Sequence, residues 1–204
     1  MCERDTIGIM ADVQEYCLGL GIALSDEGIN KLGVYATKLL EWNKIHNLSG
    51  ASTLDSLKEN IIDSLYPLRF VDSFTSCLDI GSGGGFPAIV LSIALPQVRF
   101  ILTEPRAKRF AFLQHIIAQL ELSNAKVFAS RIQEIPIAEV NNIDLITSRA
   151  VMSAEEIMHY GHKFLSHNGH YLLFKGSNFK KEMPIMSIEE CFSRNDRIYF
   201  YKKG

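Results

Sequence analysis

The sequence is short of several things, and each shortage excludes something. Cysteine is scarce: four residues in 204, at positions 2, 17, 77 and 191, with no pair at metal-ligand or redox spacing. A chain of this size with that pattern has no disulfide framework. The six prolines and 14 glycines are too few for a collagen-like or low-complexity chain. Charge of one sign is also lacking, since 21 Lys+Arg face 23 Asp+Glu for a net of −2. That balance argues at first against a nucleic-acid partner, because such domains usually carry a basic excess. No clean membrane span exists either. The longest uncharged run, Ile80 to Val98, has 19 residues but is broken by four glycines and two prolines. The opening Met-Cys-Glu-Arg-Asp is charged and unlike a secretory leader, so a cytoplasmic protein is expected.

What is present is an ordinary globular composition, 47% hydrophobic, with a change of texture near residue 73. Before that point the pattern is helical. Ile9, Val13 and Cys17 recur at helical spacing and give way to Gly19 and Gly21. Ser25-Asp26-Glu27 reads as a helix start, followed by the face Ile29, Leu32, Ala36 and Leu39. A third helix carries Leu54, Leu57, Ile61 and Leu65 and should end near Pro67. Beyond residue 73, strands alternate with helices. Strands are expected at Ser76–Ile80, Arg99–Glu104, Lys126–Ser130, Ile143–Thr147 and Tyr171–Lys175, with helices between them, the last around Glu155–Leu165. This alternation predicts an α/β fold, a Rossmann-like parallel sheet with helices on both faces. Ile185–Phe192 and Arg197–Lys202, separated by Ser193-Arg194-Asn195-Asp196, predict a closing antiparallel hairpin. The expected organisation is a helical region over 1–72 and the Rossmann-like domain over 73–204.

Asp79-Ile80-Gly81-Ser82-Gly83-Gly84-Gly85 follows the first strand and opens a helix. Glycines there allow a tight turn and close approach of backbone to ligand, and a helix N-terminus offers free N–H donors. The turn also fits a dinucleotide loosely, because counting six from Gly83 reaches Ala88. Asp79 discriminates: a carboxylate at the strand tip suits a cationic ligand such as S-adenosylmethionine better than a pyrophosphate. Glu104, closing the second strand, is placed to bind ribose hydroxyls.

Several further motifs stand in a set order. They are Trp42-Asn43-Lys44, Asn47-Leu48-Ser49, Ile62-Asp63-Ser64-Leu65, the glycine turn through Phe86-Pro87, Lys108-Arg109, Ser148-Arg149-Ala150 and Leu173-Phe174-Lys175-Gly176. In this combination, over roughly residues 39 to 176, the chain resembles the bacterial small-subunit rRNA guanine-N7 methyltransferases of the RsmG family, also called GidB. The resemblance implies a helical N-terminal part, a class I methyltransferase core and S-adenosylmethionine as cofactor. It implies cofactor contacts from Gly81 and Phe86, from Ile132 and Gln133, and from Arg149. Asn60 stands where a histidine is common in that family, and Gln133 where a glutamate is frequent.

Guanine N7 has a free lone pair and no proton to remove, so methyl transfer to it needs positioning rather than a general base. Arg131, Arg149 and Lys175 each fall at or just past the end of a predicted parallel strand, and strand ends line the ligand crevice. We expect Arg149 to span cofactor and guanine, and Arg131 and Lys175 to hold RNA phosphate or the target nucleotide. Arg106, Lys108 and Arg109 cluster at a helix start that the macrodipole makes unfavourable for cations. They are candidates for an RNA track, with Lys180, Lys181, Arg197, Lys202 and Lys203 in the tail as weaker ones. Phe110, Phe112 and Trp42 read as core. The six histidines, including His159 and His162, have no acidic or thiol partner at useful spacing, so no metal is assigned. Two rival readings stay open, an NAD-dependent dehydrogenase and a non-catalytic RNA-binding assembly factor. The expected partner is small-subunit rRNA or a ribosomal particle, met by a monomer away from any membrane.

Resolved by segment, the charge no longer opposes RNA. Residues 1–30 sum to −5, while 99–131 sum to +4 and 175–204 to +3. An RNA would meet these faces separately.

Overall fold

A computed structural model describes residues 3–149, 151–176 and 190–204. The helical start is built from α1 (Glu3–Gly19), α2 (Asp26–His46) and α3 (Leu54–Leu65). Ser25 caps α2 by accepting from the Gly28 N–H. Thr53 and Ser56 form a reciprocal capping box on α3; each such cap contributes about 1 kcal/mol. The buried face of α2, Leu32, Tyr35, Ala36 and Leu39, follows the 3.6-residue period. After α3, a 3-10 turn over Tyr66–Arg69 carries Pro67 in its first turn.

The rest alternates as expected: β1 (Ser76–Ile80), α4 (Ala88–Ala94), β2 (Arg99–Thr103), α5 (Ala107–Gln119), β3 (Ala125–Phe128), β4 (Ile143–Arg149), α6 (Ala154–Gly161), β5 (Leu165–Lys175), β6 (Cys191–Arg194) and β7 (Arg197–Lys203). Among the described residues seven strands form one sheet in the order β3-β2-β1-β4-β5-β7-β6. β1 to β5 run parallel, and β7 enters antiparallel beside β5 with β6 outside it. The chain starts at β1, winds outward through β2 and β3, then returns to the other side of β1 with β4. The order therefore reverses between β1 and β4, and ligands bind at the strand ends there.

Several element boundaries differ from expectation. The helix expected to run to Leu165 ends at Gly161, and β5 begins at Leu165 rather than Tyr171. A Cβ on Gly161 would stand 3.0 Å from Ile146 Cδ1, so the glycine lets that end of the helix lie close on the sheet. The early part of β5 pairs through Ile143 and Leu165 before an irregularity that restores register at Leu145 and His170. The hairpin turn is shorter than expected, because β6 runs through Arg194 and leaves Asn195 and Asp196 between the strands. Asn195 takes the left-handed conformation at φ 52, which a tight hairpin needs and Asn tolerates. Lys180, Lys181, Ala150 and the first part of the strand expected from Ile185 lie outside the described residues.

The pleat sorts alternate residues to opposite faces. Cys77, Phe100, Leu102, Leu145 and Leu172 pack with α1 to α5, in a cluster that crosses residue 72 without interruption. Leu78, Ile80, Ile101, Ile146 and Leu173 pack on the other face with Ile157 of α6 and the Ile132–Val140 loop. Burial of each such Leu or Ile contributes roughly 1.5–3 kcal/mol. The same alternation sends Asp79, two residues after Cys77, toward the helical side. Asp144 fixes the start of β1 against β4, its Oδ2 accepting from the Thr75 N–H (2.8 Å), the Thr75 hydroxyl (2.7 Å) and the Ser76 N–H (3.2 Å). Among the described residues, no helix is long and apolar enough to cross a membrane.

Candidate active site

At the switch between β1 and β4 lies a cleft of about 650 Å³. Its walls come from both halves of the chain: Ser49, Gly50 and Asn60 from the helical start, Gly81 to Gly84 and Phe86 from the glycine turn, and Arg109, Arg149 and Arg197.

The turn is held from beneath. Gly81 N–H donates to Thr103 Oγ1 (3.2 Å), Ser82 N–H to the Thr103 carbonyl (2.9 Å) and Gly83 N–H to Glu104 Oε2 (2.9 Å). Glu104 Oε1 accepts from the Arg106 N–H at 2.8 Å. From the other side the Tyr35 hydroxyl donates to the Gly84 carbonyl at 2.7 Å. Gly81 sits at φ 73, and a Cβ there would lie 2.4 Å from Val151 Cγ2. Gly85 sits at φ 100, where a Cβ would meet Ile89 Cγ1 at 2.7 Å. Phe86 and Pro87 are joined by a cis peptide.

This corrects one expectation. The turn does not offer a row of free N–H donors: those of Gly81, Ser82 and Gly83 are taken by the end of β2. α4 begins only at Ala88 after Pro87, without a side-chain cap, and spans 7 residues. A pyrophosphate cradle needs such donors, so the turn is poorly built for a dinucleotide.

It is well built around a carboxylate. Asp79 is 1% exposed; its Oδ1 accepts from the Thr147 hydroxyl at 2.6 Å, and its buried Oδ2 has no hydrogen-bond partner among the described residues. Burial, opposed by the nearby Ser82 hydroxyl and the Thr147 hydrogen bond, pushes its carboxyl up to about 6. An orphaned buried acceptor costs about 1–3 kcal/mol unless something fills it. A ligand ammonium would supply the missing donor and stabilise the carboxylate in its charged form.

Arg149, at the end of β4, lies next to this carboxylate because β4 adjoins β1. Its guanidinium stands 5.5 Å from the Phe86 ring centroid, donates through Nη2 to Asn60 Oδ1 and faces Asp63 Oδ2 at 3.5 Å. Burial lowers the Arg149 pKa from its usual range, and the Asp63 charge opposes that. Asp63 is 2% exposed, accepts from the Tyr199 hydroxyl at 2.6 Å and faces Arg197 Nε at 3.7 Å. The Asn60 position, where the resembled family commonly has histidine, thus touches the same arginine.

Of the other expected site residues, Glu104 lies under the turn at the end of β2, 3% exposed. Arg131, Ile132 and Gln133 follow β3, and Lys175 ends β5. β3 and β5 are each two strands from β1, about 10 Å in spacing, and none of these four residues lines the cleft. Arg131 is exposed, and Lys175 Nζ donates to the Met152 carbonyl at 3.0 Å. In the basic cluster, Arg109 lines the cleft beside Gly83, whereas Arg106 and Lys108 are exposed. Trp42 packs edge-on against the fully buried Phe112, as core. Sequence patterning does not single out Tyr35, Asn43 or Asp63 as site residues, though Asn43 and Asp63 stand in the ordered motifs. Asn43 Nδ2 donates to the Ser49 and Ala51 carbonyls and its Oδ1 accepts from the Ser49 N–H, which shapes the cleft loop. No periodicity signals this, because the contacts are set by the loop's return on α2.

The family model described as rRNA small subunit methyltransferase G, GidB, matches residues 28–202. The chain belongs to this family. Ribosomal RNA small subunit methyltransferase G of Helicobacter hepaticus is 64% identical over 83% of this chain and 91% of its own length. Solved structures show the same fold at low identity. A precorrin-6y C5,15-methyltransferase from Geobacter metallireducens aligns with TM-score 0.53 at 15% identity, over 71% of this chain and 86% of that one. An RNA methyltransferase from Salinibacter ruber in complex with S-adenosylhomocysteine aligns at 0.50 and 11%, over 63% and 80%. As a member of the GidB family the chain is a methyltransferase with a Rossmann-like core, and the dehydrogenase and non-catalytic readings are not favoured.

Proposed function

We propose that the chain transfers a methyl group from S-adenosylmethionine to N7 of one guanine in small-subunit ribosomal RNA. Family membership supports the reaction class, and one observation carries the site: the unpartnered, buried Oδ2 of Asp79 near the end of β1, just before the glycine turn that lines the cleft together with Arg149. The residues fit the cofactor. Asp79 would accept the ammonium, Glu104 the ribose hydroxyls with its remaining lone pairs, and Gly81, Gly83, Gly85 and Phe86 would form the floor. The cofactor supplies an electrophilic sulfonium methyl.

The chain's part is to orient the guanine and keep the site electrostatically matched. Among the described residues, the one carboxylate side chain lining the cleft, Glu59, is held by Arg194 at 3.0 Å, and the rest is arginine, hydroxyl, amide, glycine backbone and the apolar Leu48, Ala51, Phe86 and Val151. That lining suits an acceptor with no proton to lose. Arg149, desolvated and steered by Asp63 and Asn60, donates toward cofactor and base. Arg131, with Ile132 and Gln133 beside it, and Lys175 lie further out; we assign the two cations to RNA phosphate. The enzyme works as a cytoplasmic monomer on rRNA or a ribosomal particle.

The test is methyl incorporation into small-subunit RNA from a strain lacking the gene, with mass-spectrometric mapping of the modified base. A methyl at guanine N7 is the expected result, and no incorporation, or methylation at another atom, overturns the proposal. Thermal shift by S-adenosylhomocysteine but not by NAD checks the cofactor separately.

A further inference from the structure

The acidic start and the basic tail, opposite in net charge, meet beside the cleft. Arg194 ends β6 and reaches across to the helices. Its Nη2 donates to Glu59 Oε2 of α3 at 3.0 Å, its Nε donates to the Tyr16 hydroxyl of α1 at 3.0 Å, and its guanidinium lies 5.3 Å from the Tyr16 ring centroid. The arginine side chain is 10% exposed and that of Glu59 55%. Burial alone would lower the Arg194 pKa, but the hydrogen bonds to Tyr16 and Glu59 outweigh it and raise it.

Glu59 stands on the divide between two depressions. One is the active-site cleft, where it shares the wall with Arg109, Arg149 and Arg197; the other holds Asp12, Glu15, Lys58 and Arg194. A lone carboxylate on a wall of three arginines opposes a polyanion. An exposed structural strut gains little from such a pair, yet neutralising this charge changes the field an incoming phosphate meets.

We propose that Arg194 is a positioning residue for substrate: it masks the Glu59 carboxylate and turns it from the RNA path, so that the cleft wall is cationic toward RNA. The inference rests on the RNA-methyltransferase reading above. Other tail cations are similarly engaged, Lys202 with Glu190 at 3.2 Å and Lys203 with Asn168 at 3.0 Å. The tail's positive sum therefore acts partly within the molecule.

The experiment measures KM, kcat and filter-retention Kd on unmethylated small-subunit RNA at two salt concentrations, with S-adenosylhomocysteine affinity and thermal unfolding in parallel. Arg194→Met should raise KM and Kd for RNA about fivefold at low salt and less at high salt, with little change in kcat or cofactor affinity. Glu59→Gln should tighten RNA binding modestly, and the double variant Glu59→Gln/Arg194→Met should recover it. Arg194→Lys, which keeps the charge, should stay close to the parent protein. The idea is overturned if the double variant is as impaired as Arg194→Met, if Glu59→Gln is itself impaired, or if Arg194→Met leaves RNA affinity unchanged. Filter retention reads the mask without turnover, so a parent protein that binds RNA but does not methylate it would sink the proposed function and leave this inference decidable. A parent protein that does not bind the RNA overturns both.

Discussion

Replacing Asp79 by Asn isolates the charge under the glycine turn. The native carboxyl is shifted from 3.8 to about 6 by burial. The folded form therefore favours the protonated acid, and the stabilising term is complete below pH 3.8. It is lost as pH rises to about 6, each pH unit in that window costing about 1.4 kcal/mol. Above pH 6 the full penalty, about 3 kcal/mol, is carried by the ligand-free protein. Asparagine does not titrate. It keeps an acceptor for the Thr147 hydroxyl and places an amide where Oδ2 has no partner, costing about 1–3 kcal/mol at every pH. The absolute effect thus partly cancels, but its pH dependence does not. Between pH 5 and pH 8 the variant should gain about 1 kcal/mol on the parent. Urea unfolding at the two pH values reads this difference. Saturating S-adenosylhomocysteine should raise the parent's stability at pH 8 and leave the variant nearly unmoved. Parallel stability profiles from pH 5 to 8, or equal ligand stabilisation, would refute the reasoning.

Three further outcomes follow from the geometry. Arg149→Ala should lower methylation by at least about a hundredfold, whereas Arg131→Ala and Lys175→Ala should mainly raise the KM for RNA, as salt-titrated kinetics will show; unchanged activity in all three rejects the assignment. Gly81→Ala forces a left-handed alanine against Val151 and should cost about 1–2 kcal/mol of stability along with most cofactor binding, read by calorimetry. Asp144 is partly buried, but hydrogen bonds from Thr75, Ser166 and Ser76 outweigh that and hold its carboxyl below the usual range. Its contribution is present above pH 3.8 and is lost as pH falls through the lowered value. Asp144→Asn should therefore cost about 1–2 kcal/mol at pH 7 and progressively less in acid, which denaturation at pH 7 and pH 3 compares.

Local chemistry makes much of this molecule legible in its sequence. Ser25 and Thr53 cap, the apolar period of α2 buries Leu32 and Leu39, and short apolar runs make β1, β2 and β4, because each of these effects acts within a few residues. Asp79, the glycines and Glu104 can be read as a site, since a strand-turn-helix unit places its strand tip, turn and next strand end together in any parallel sheet. Strand order cannot be read that way. The packing of β4 against β1 brings Arg149 to the carboxylate, while β3 and β5 leave Arg131 and Lys175 a strand further out. All three look equivalent along the chain. The pairings of Tyr35 with Gly84, Asp63 with Arg149 and Tyr199, and Arg194 with Glu59 span 49 to 136 residues of sequence. Only the closed fold makes them, because their energy depends on burial and distance rather than on any local preference.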